Sequence, residues 1–279
     1  MTAVSEDLQR GFTAVPGGRV AHEIAGACNG GTPILLIRPL GGTMALWGPF
    51  RARLAETRRV LAFDYRGAGA SSPAAAFTTT RRLAHDALCV LDELGVARAH
   101  VFGISLGGMV ATWLAVLAPN RVERLVLASA PAWGLALSRA GLRRGRSLAA
   151  CLVRPRAEIE ACLVERILSP RFRVAHPAEL RRIEALAAAA PTSRAALTKL
   201  ALAGLLHDAR GSLRHVVAPT LVLAGSDDEL LGRAPQRALA AGIRGAAFTV
   251  VDESGHDLTL EQPRVTAARV AAFLDAQPA

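Results

Sequence analysis

With 279 residues and a net charge of +10, the chain has room for one large domain carrying an insertion rather than two independent domains. Its 51% hydrophobic content is inflated by alanine, and no apolar run reaches the roughly 18 residues that spanning requires, so stable membrane insertion is not expected. The charge does not point to nucleic acid either: 15 basic and 6 acidic residues lie between Arg139 and Arg214, where Phe172 is the only aromatic side chain able to stack on a base.

The first ten residues include Ser5-Glu6-Asp7 and no apolar core of a signal peptide, so a cytoplasmic location is the expectation. Thr13–Val15 and Arg19–Ala25 read as a hairpin across Pro16-Gly17-Gly18. Pro33–Arg38, Val60–Asp64, His100–Ile104, Leu125–Ser129, Thr220–Ala224 and Ala247–Val251 are short apolar runs of the kind found in strands covered on both faces. Helical patterns lie between or after them at Thr80–Leu94, Ser105–Ala118, Ala234–Ala241 and Arg264–Leu274. This alternation predicts an α/β fold: a mostly parallel sheet of about eight strands with helices on both faces. It stops after Trp133. From Leu135 to about Leu213 the chain reads as successive helices broken at Pro155, Pro170, Pro177 and Pro191. The expected organisation is a core of residues 1–134 and 214–279, with residues 135–213 inserted as a helical cap above the carboxyl ends of the strands.

The most informative local feature is Gly103-Ile104-Ser105-Leu106-Gly107. It is a G-x-S-x-G motif set between an apolar strand and a helix. The sharp turn holds a serine in a strained, exposed position, and the helix N-terminus beneath it offers free N–H groups to a developing negative charge. A serine hydroxyl needs a base, and the base needs an orienting acid. His256, in Ser254-Gly255-His256-Asp257 after the last strand, is the expected base. Asp228, three residues past Gly225, is the first choice for the acid and Asp227 the second; Asp257 reads as a surface or helix-capping residue. For the oxyanion hole the expected donors are the amides of Leu106 and Leu40, since Pro39 has no N–H to give. Gly41-Gly42 lets that loop approach a substrate closely.

With these residues in place the chain resembles the α/β-hydrolase superfamily over nearly its whole length. Asp64-Tyr65-Arg66-Gly67-Ala68-Gly69-Ala70-Ser71 matches the D-x-R-G-x-G-x-S loop of that family. Gly103–Ser129 and Leu205–Gly225 are most similar to the 3-oxoadipate enol-lactonase branch. Two positions depart from the common pattern. Arg38-Pro39 stands where His-Gly is usual, and Ala68 where His is common. The first of these departures is shared with the lactonase branch.

The expected function is hydrolysis of a small carboxylic ester or lactone through an acyl-enzyme on Ser105, His256 and Asp228. Carbon–carbon bond hydrolysis, cofactor-free perhydrolysis and a non-catalytic ligand-binding role are the alternatives. No cofactor and no metal are expected, since the seven histidines are scattered. The arginine-rich segment allows an anionic substrate, and the sequence leaves homo-oligomerisation open. Cys28, Cys89, Cys151 and Cys162 show no C-x-x-C spacing and read as reduced, mostly buried side chains.

Overall fold

The computed structural model describes residues 8–26, 31–73, 77–134, 146 and 149–277. Strands β1 (Gln9–Val15) and β2 (Gly18–Ala25) form the expected hairpin, and β3 (Ile34–Ile37) follows. After helix α1 (Gly48–Ala55) come β4 (Val60–Phe63), α2 (Thr80–Glu93), β5 (Ala99–Ile104), α3 (Leu106–Leu117) and β6 (Val122–Ala128). The sequence reading omits α1, whose weak amphipathic pattern gives periodicity little to detect.

The eight strands form one sheet in the order β1-β2-β4-β3-β5-β6, continued by β7 (Thr220–Gly225) and β8 (Ala247–Val251). The two pairings that involve β2 are antiparallel and the other five are parallel. Side chains in a strand alternate between faces, and the buried core divides accordingly. From β3, Leu35 and Ile37 pack on one face with α2 and α3, while Ile34 and Leu36 pack on the other with α1 and the last helix. β5 does the same, with Val101 on the first face and Phe102 and Ile104 on the second. Each such side chain, removed from water completely, contributes about 1.5–3 kcal/mol.

Between β6 and β7 the described chain carries helices and no strand: α4 (Ile159–Ile167), α5 (Pro170–Ala175), α6 (Pro177–Ala189) and α7 (Arg194–Leu205). Pro170 and Pro177, read from the sequence as breaks, also start helices, since the first turn needs no N–H from them. Ser169 and Ser193 cap α5 and α7, accepting hydrogen bonds from the Phe172 and Ala196 amides. The segment packs in two small clusters, one around Phe172 and Ile183 that also takes in Leu46 and Leu260, and another around Ile159 and Leu197.

The expectation of four reduced cysteines is corrected here. Cys151 and Cys162 are joined by a disulfide, buried within the second of these small clusters. They stand eleven positions apart, and the start of α4 turns the chain back so that the two sulfurs meet. Cys89 is a free, half-buried thiol, and Cys28 lies outside the described residues.

After β7 the chain continues through α8 (Arg233–Gly242), β8, the short helix α9 (Leu258–Glu261) and α10 (Pro263–Asp275). In-register parallel pairing decides where loops emerge. Ile37 lies beside Gly103, Ile104 beside Ala128, Ala128 beside Leu223, and Gly225 beside Val251. The loops after β3, β5, β7 and β8 therefore leave the sheet at the same edge.

Candidate active site

Ser105 stands between β5 and α3 with φ 55° and ψ −118°, a conformation that non-glycine residues rarely adopt. Its glycine neighbours are required by space. A Cβ on Gly103 would lie 2.2 Å from the Gly107 carbonyl oxygen, and one on Gly107 would lie 2.0 Å from that of Ile37. The elbow thus closes only because α3 rests on the end of β3 without side chains between them. The Ser105 amide donates to the Ala128 carbonyl at 2.9 Å, which fixes the turn against β6.

The serine, histidine and first-choice acid come together. Ser105 Oγ lies 2.8 Å from His256 Nε2, and His256 Nδ1 lies 3.1 and 3.0 Å from the two oxygens of Asp228. Asp228 also accepts from the Leu231 amide at 2.8 Å and from Gln236 Nε2 at 3.1 Å. The Asp227 carboxylate instead accepts from the neighbouring Ser226 hydroxyl. Asp228 and His256 are buried. Burial works against the charged imidazole, but the Asp228 carboxylate, with Asp257 and Glu261 nearby, outweighs it and raises the His256 pKa above its ordinary value.

Leu106 is the first residue of α3, where amide N–H groups have no partner within the helix. Leu40 is half-buried, and its side chain packs both on the sheet core and on the cluster around the disulfide. The loop it belongs to is covered closely: a Cβ on Gly41 would lie 2.9 Å from Leu163 and 3.3 Å from Leu197. The helical segment therefore sits directly on the loop that follows β3.

Gln236 and Glu261 escape the sequence reading, and Asp257 is only half caught by it. Gln236, fully buried on α8, holds both Asp228 and the Gly232 carbonyl through its amide nitrogen; a glutamine in an amphipathic helix carries no local signal of this. Asp257 does cap α9, accepting from the Thr259 amide at 3.2 Å. It is not at the surface, however: it is fully buried against Arg38. Glu261 ties the histidine loop to the helical segment, accepting from the Ser169 amide at 2.7 Å and from the Ser169 hydroxyl at 2.6 Å.

Among the described residues no helix is long and apolar enough to cross a membrane, and no group of three or more His, Cys, Asp or Glu side chains is placed to hold a metal ion.

Comparison with known proteins agrees with this architecture. The protein of Azorhizobium caulinodans named "Putative carbamate hydrolase RutD" is 33% identical over 248 residues, covering 88% of this chain and 90% of its own. The 3-oxoadipate enol-lactonase 1 of Acinetobacter baylyi is 29% identical over 237 residues, covering 82% and 84%. Among solved structures, a hydrolase from Pseudomonas aeruginosa PA01 superposes with a TM-score of 0.84 at 33% identity, over 99% of this chain and 100% of that one. The sequence profile of the alpha/beta hydrolase fold family matches residues 32–263. With the sheet order, the elbow and this match, the chain belongs to the α/β-hydrolase fold family.

Proposed function

We propose that this chain is a serine hydrolase that opens the acyl bond of a small carboxylic ester or lactone through a covalent acyl-enzyme. The observation that carries the reading is the unbroken hydrogen-bond chain from Ser105 Oγ through His256 to Asp228. Neutral His256 takes the hydroxyl proton at Nε2 as Oγ bonds to the substrate carbonyl carbon. Asp228 holds the ring by Nδ1 and stabilises the imidazolium that forms. The carbonyl oxygen, now an anion, is held by the Leu106 and Leu40 amides. Collapse expels the alcohol oxygen, which takes the proton from Nε2. Water, deprotonated by the same nitrogen, then releases the acid and restores Ser105. The helices inserted between β6 and β7 serve as a cap, closing the site from above through Leu163 and Leu197.

Substrate charge is part of the question. Of the arginines on the inserted segment, Arg154, Arg171, Arg182 and Arg210 face carboxylates, and Arg194 holds backbone carbonyls. A substrate panel therefore pairs neutral with carboxylated esters and lactones, and includes carbamates because a relative bears that name.

A fluorophosphonate probe should label the protein at Ser105, and Ser105→Ala should abolish labelling and lower kcat by about 10³-fold or more on any panel member that is turned over. Labelling that survives in Ser105→Ala would sink the assignment.

A further inference from the structure

Behind the histidine loop lies an ion pair that takes no part in the proton relay. Arg38 is the first residue after β3, two positions before Leu40, and Asp257 directly follows His256. Arg38 Nη2 donates to Asp257 Oδ2 at 2.9 Å and Nη1 to the Thr259 hydroxyl at 3.3 Å. The Thr259 hydroxyl in turn donates to Asp257 Oδ1 at 2.6 Å, closing a ring of three side chains. The pair is out of water: the two side chains are 1% and 0% exposed.

The surroundings hold Arg38 in place. Its guanidinium lies 4.6 Å from the centre of the Trp47 ring, and the Tyr65 hydroxyl donates to its carbonyl at 2.9 Å. Gly42 curls round it so closely that a Cβ there would lie 2.8 Å from Arg38 Nε. On the other side, the Asp257 amide donates to the Ile167 carbonyl at the end of α4.

Desolvating two charges costs about as much as their attraction returns, so a buried pair adds little stability over an apolar one. What it does supply is a fixed geometry, and the arginine fork sets that geometry more tightly than a lysine point charge. We propose that Arg38 and Asp257 are positioning residues: their pair locks the loop carrying the Leu40 amide to the loop carrying His256, so that oxyanion donor and base keep one spacing. This rests on the roles assigned above to Ser105, His256 and Leu40. Small misplacements of reacting groups cost up to about 10²-fold in rate, so the effect belongs in kcat.

The decisive variant is the double substitution Arg38→Met/Asp257→Asn, which leaves no buried charge and keeps a residue able to cap α9. Its melting temperature should stay within a few degrees of the parent, and the fluorophosphonate should still label Ser105. On an ester that the parent hydrolyses, kcat should fall about 10- to 100-fold with KM within about threefold. Arg38→Lys, which restores the charge but only one arm of the fork, should recover part of that loss. Parent-like kcat in the folded double variant, or a loss confined to KM, overturns the proposal. If the double variant does not fold, Arg38→Lys decides: full kcat overturns the pairing role, and a loss of about fivefold or more at unchanged KM supports it. These outcomes are separable from the underlying reading. Labelling of the parent at Ser105 together with full kcat in the pair variants defeats this inference alone, whereas labelling that survives Ser105→Ala defeats the assignment beneath it.

Discussion

The sheet and the helices inserted between β6 and β7 belong to one chain but are held by different means. β3, β4, β5 and β7 are buried along their whole length, so the sheet rests on continuous apolar layers above and below. The inserted helices form smaller clusters around Phe172, shared with Leu46 and Leu260 of the core, and around Ile159. They meet the core through apolar contacts, with Leu200 in the sheet core and Leu163 and Leu197 on Gly41, and through polar ones: Ser169 on Glu261, the Ser193 amide on the Gly67 carbonyl, and a bridge between Ala68 and Thr192. Inside the segment a disulfide does part of the work that volume does in the core. The sheet is specified by close packing over long apolar layers, whereas the inserted helices, with smaller apolar clusters, lean more on a disulfide and on individual hydrogen bonds that single changes can remove.

That contrast can be broken at three places. Gly107→Ala should be the most damaging, because its methyl would lie 2.0 Å from the Ile37 oxygen and 2.7 Å from the Arg38 oxygen, both backbone atoms. We expect a loss of about 3 kcal/mol or more, seen in thermal melting as a drop of roughly 5 °C or more. A variant as stable as the parent would mean that α3 can slide away from β3.

Reducing the Cys151–Cys162 disulfide should act next, and locally. The short loop it closes predicts about 2–3 kcal/mol, confined to the inserted helices. Amide exchange should quicken in Ile159–Ile167 and stay slow in β5 and β6. Equal acceleration in both regions would show that sheet and helices open as one unit.

Glu261→Gln should be mildest, at about 1–2 kcal/mol, and it has a pH signature. Burial raises the Glu261 pKa above 4.5, against the hydrogen bonds from Ser169 and Gly255. The folded chain thus keeps a proton that the unfolded chain has already released, so this group's contribution to stability falls as pH rises from about 4.5 through the folded pKa. Melting temperatures followed across the acid range should show that decline in the parent and lose it in the variant. Parallel curves would remove Glu261 from the contact.

Much of this was legible because it is local. Six apolar runs of strand length predict strands found within a few residues of their expected ends, and the Pro16-Gly17 turn sits inside the expected hairpin. The elbow at Ser105 is recognisable because its geometry needs small residues at fixed offsets, which a sequence displays directly. His256 and Asp228 were legible by their place after strands. Helix α1 was not, since its buried stripe of Phe50, Arg51 and Leu54 includes an arginine and so gives little apolar periodicity. Of the two readings of Asp257, helix cap held and surface position did not, because its burial depends on Arg38, 219 residues away.

By itself, the sequence determined the order of the strands and of most helices, the serine turn, and the loops that carry His256 and Asp228, because each rests on backbone preference and periodicity within a few residues. Tertiary structure alone decided which groups meet. It brought Asp228 rather than Asp227 to His256, closed the Cys151–Cys162 bond, set Gln236 behind Asp228, and buried Arg38 against Asp257. Those pairings come from parallel register and from helices folding back over the sheet, and contacts made at such range leave no periodic mark in the sequence.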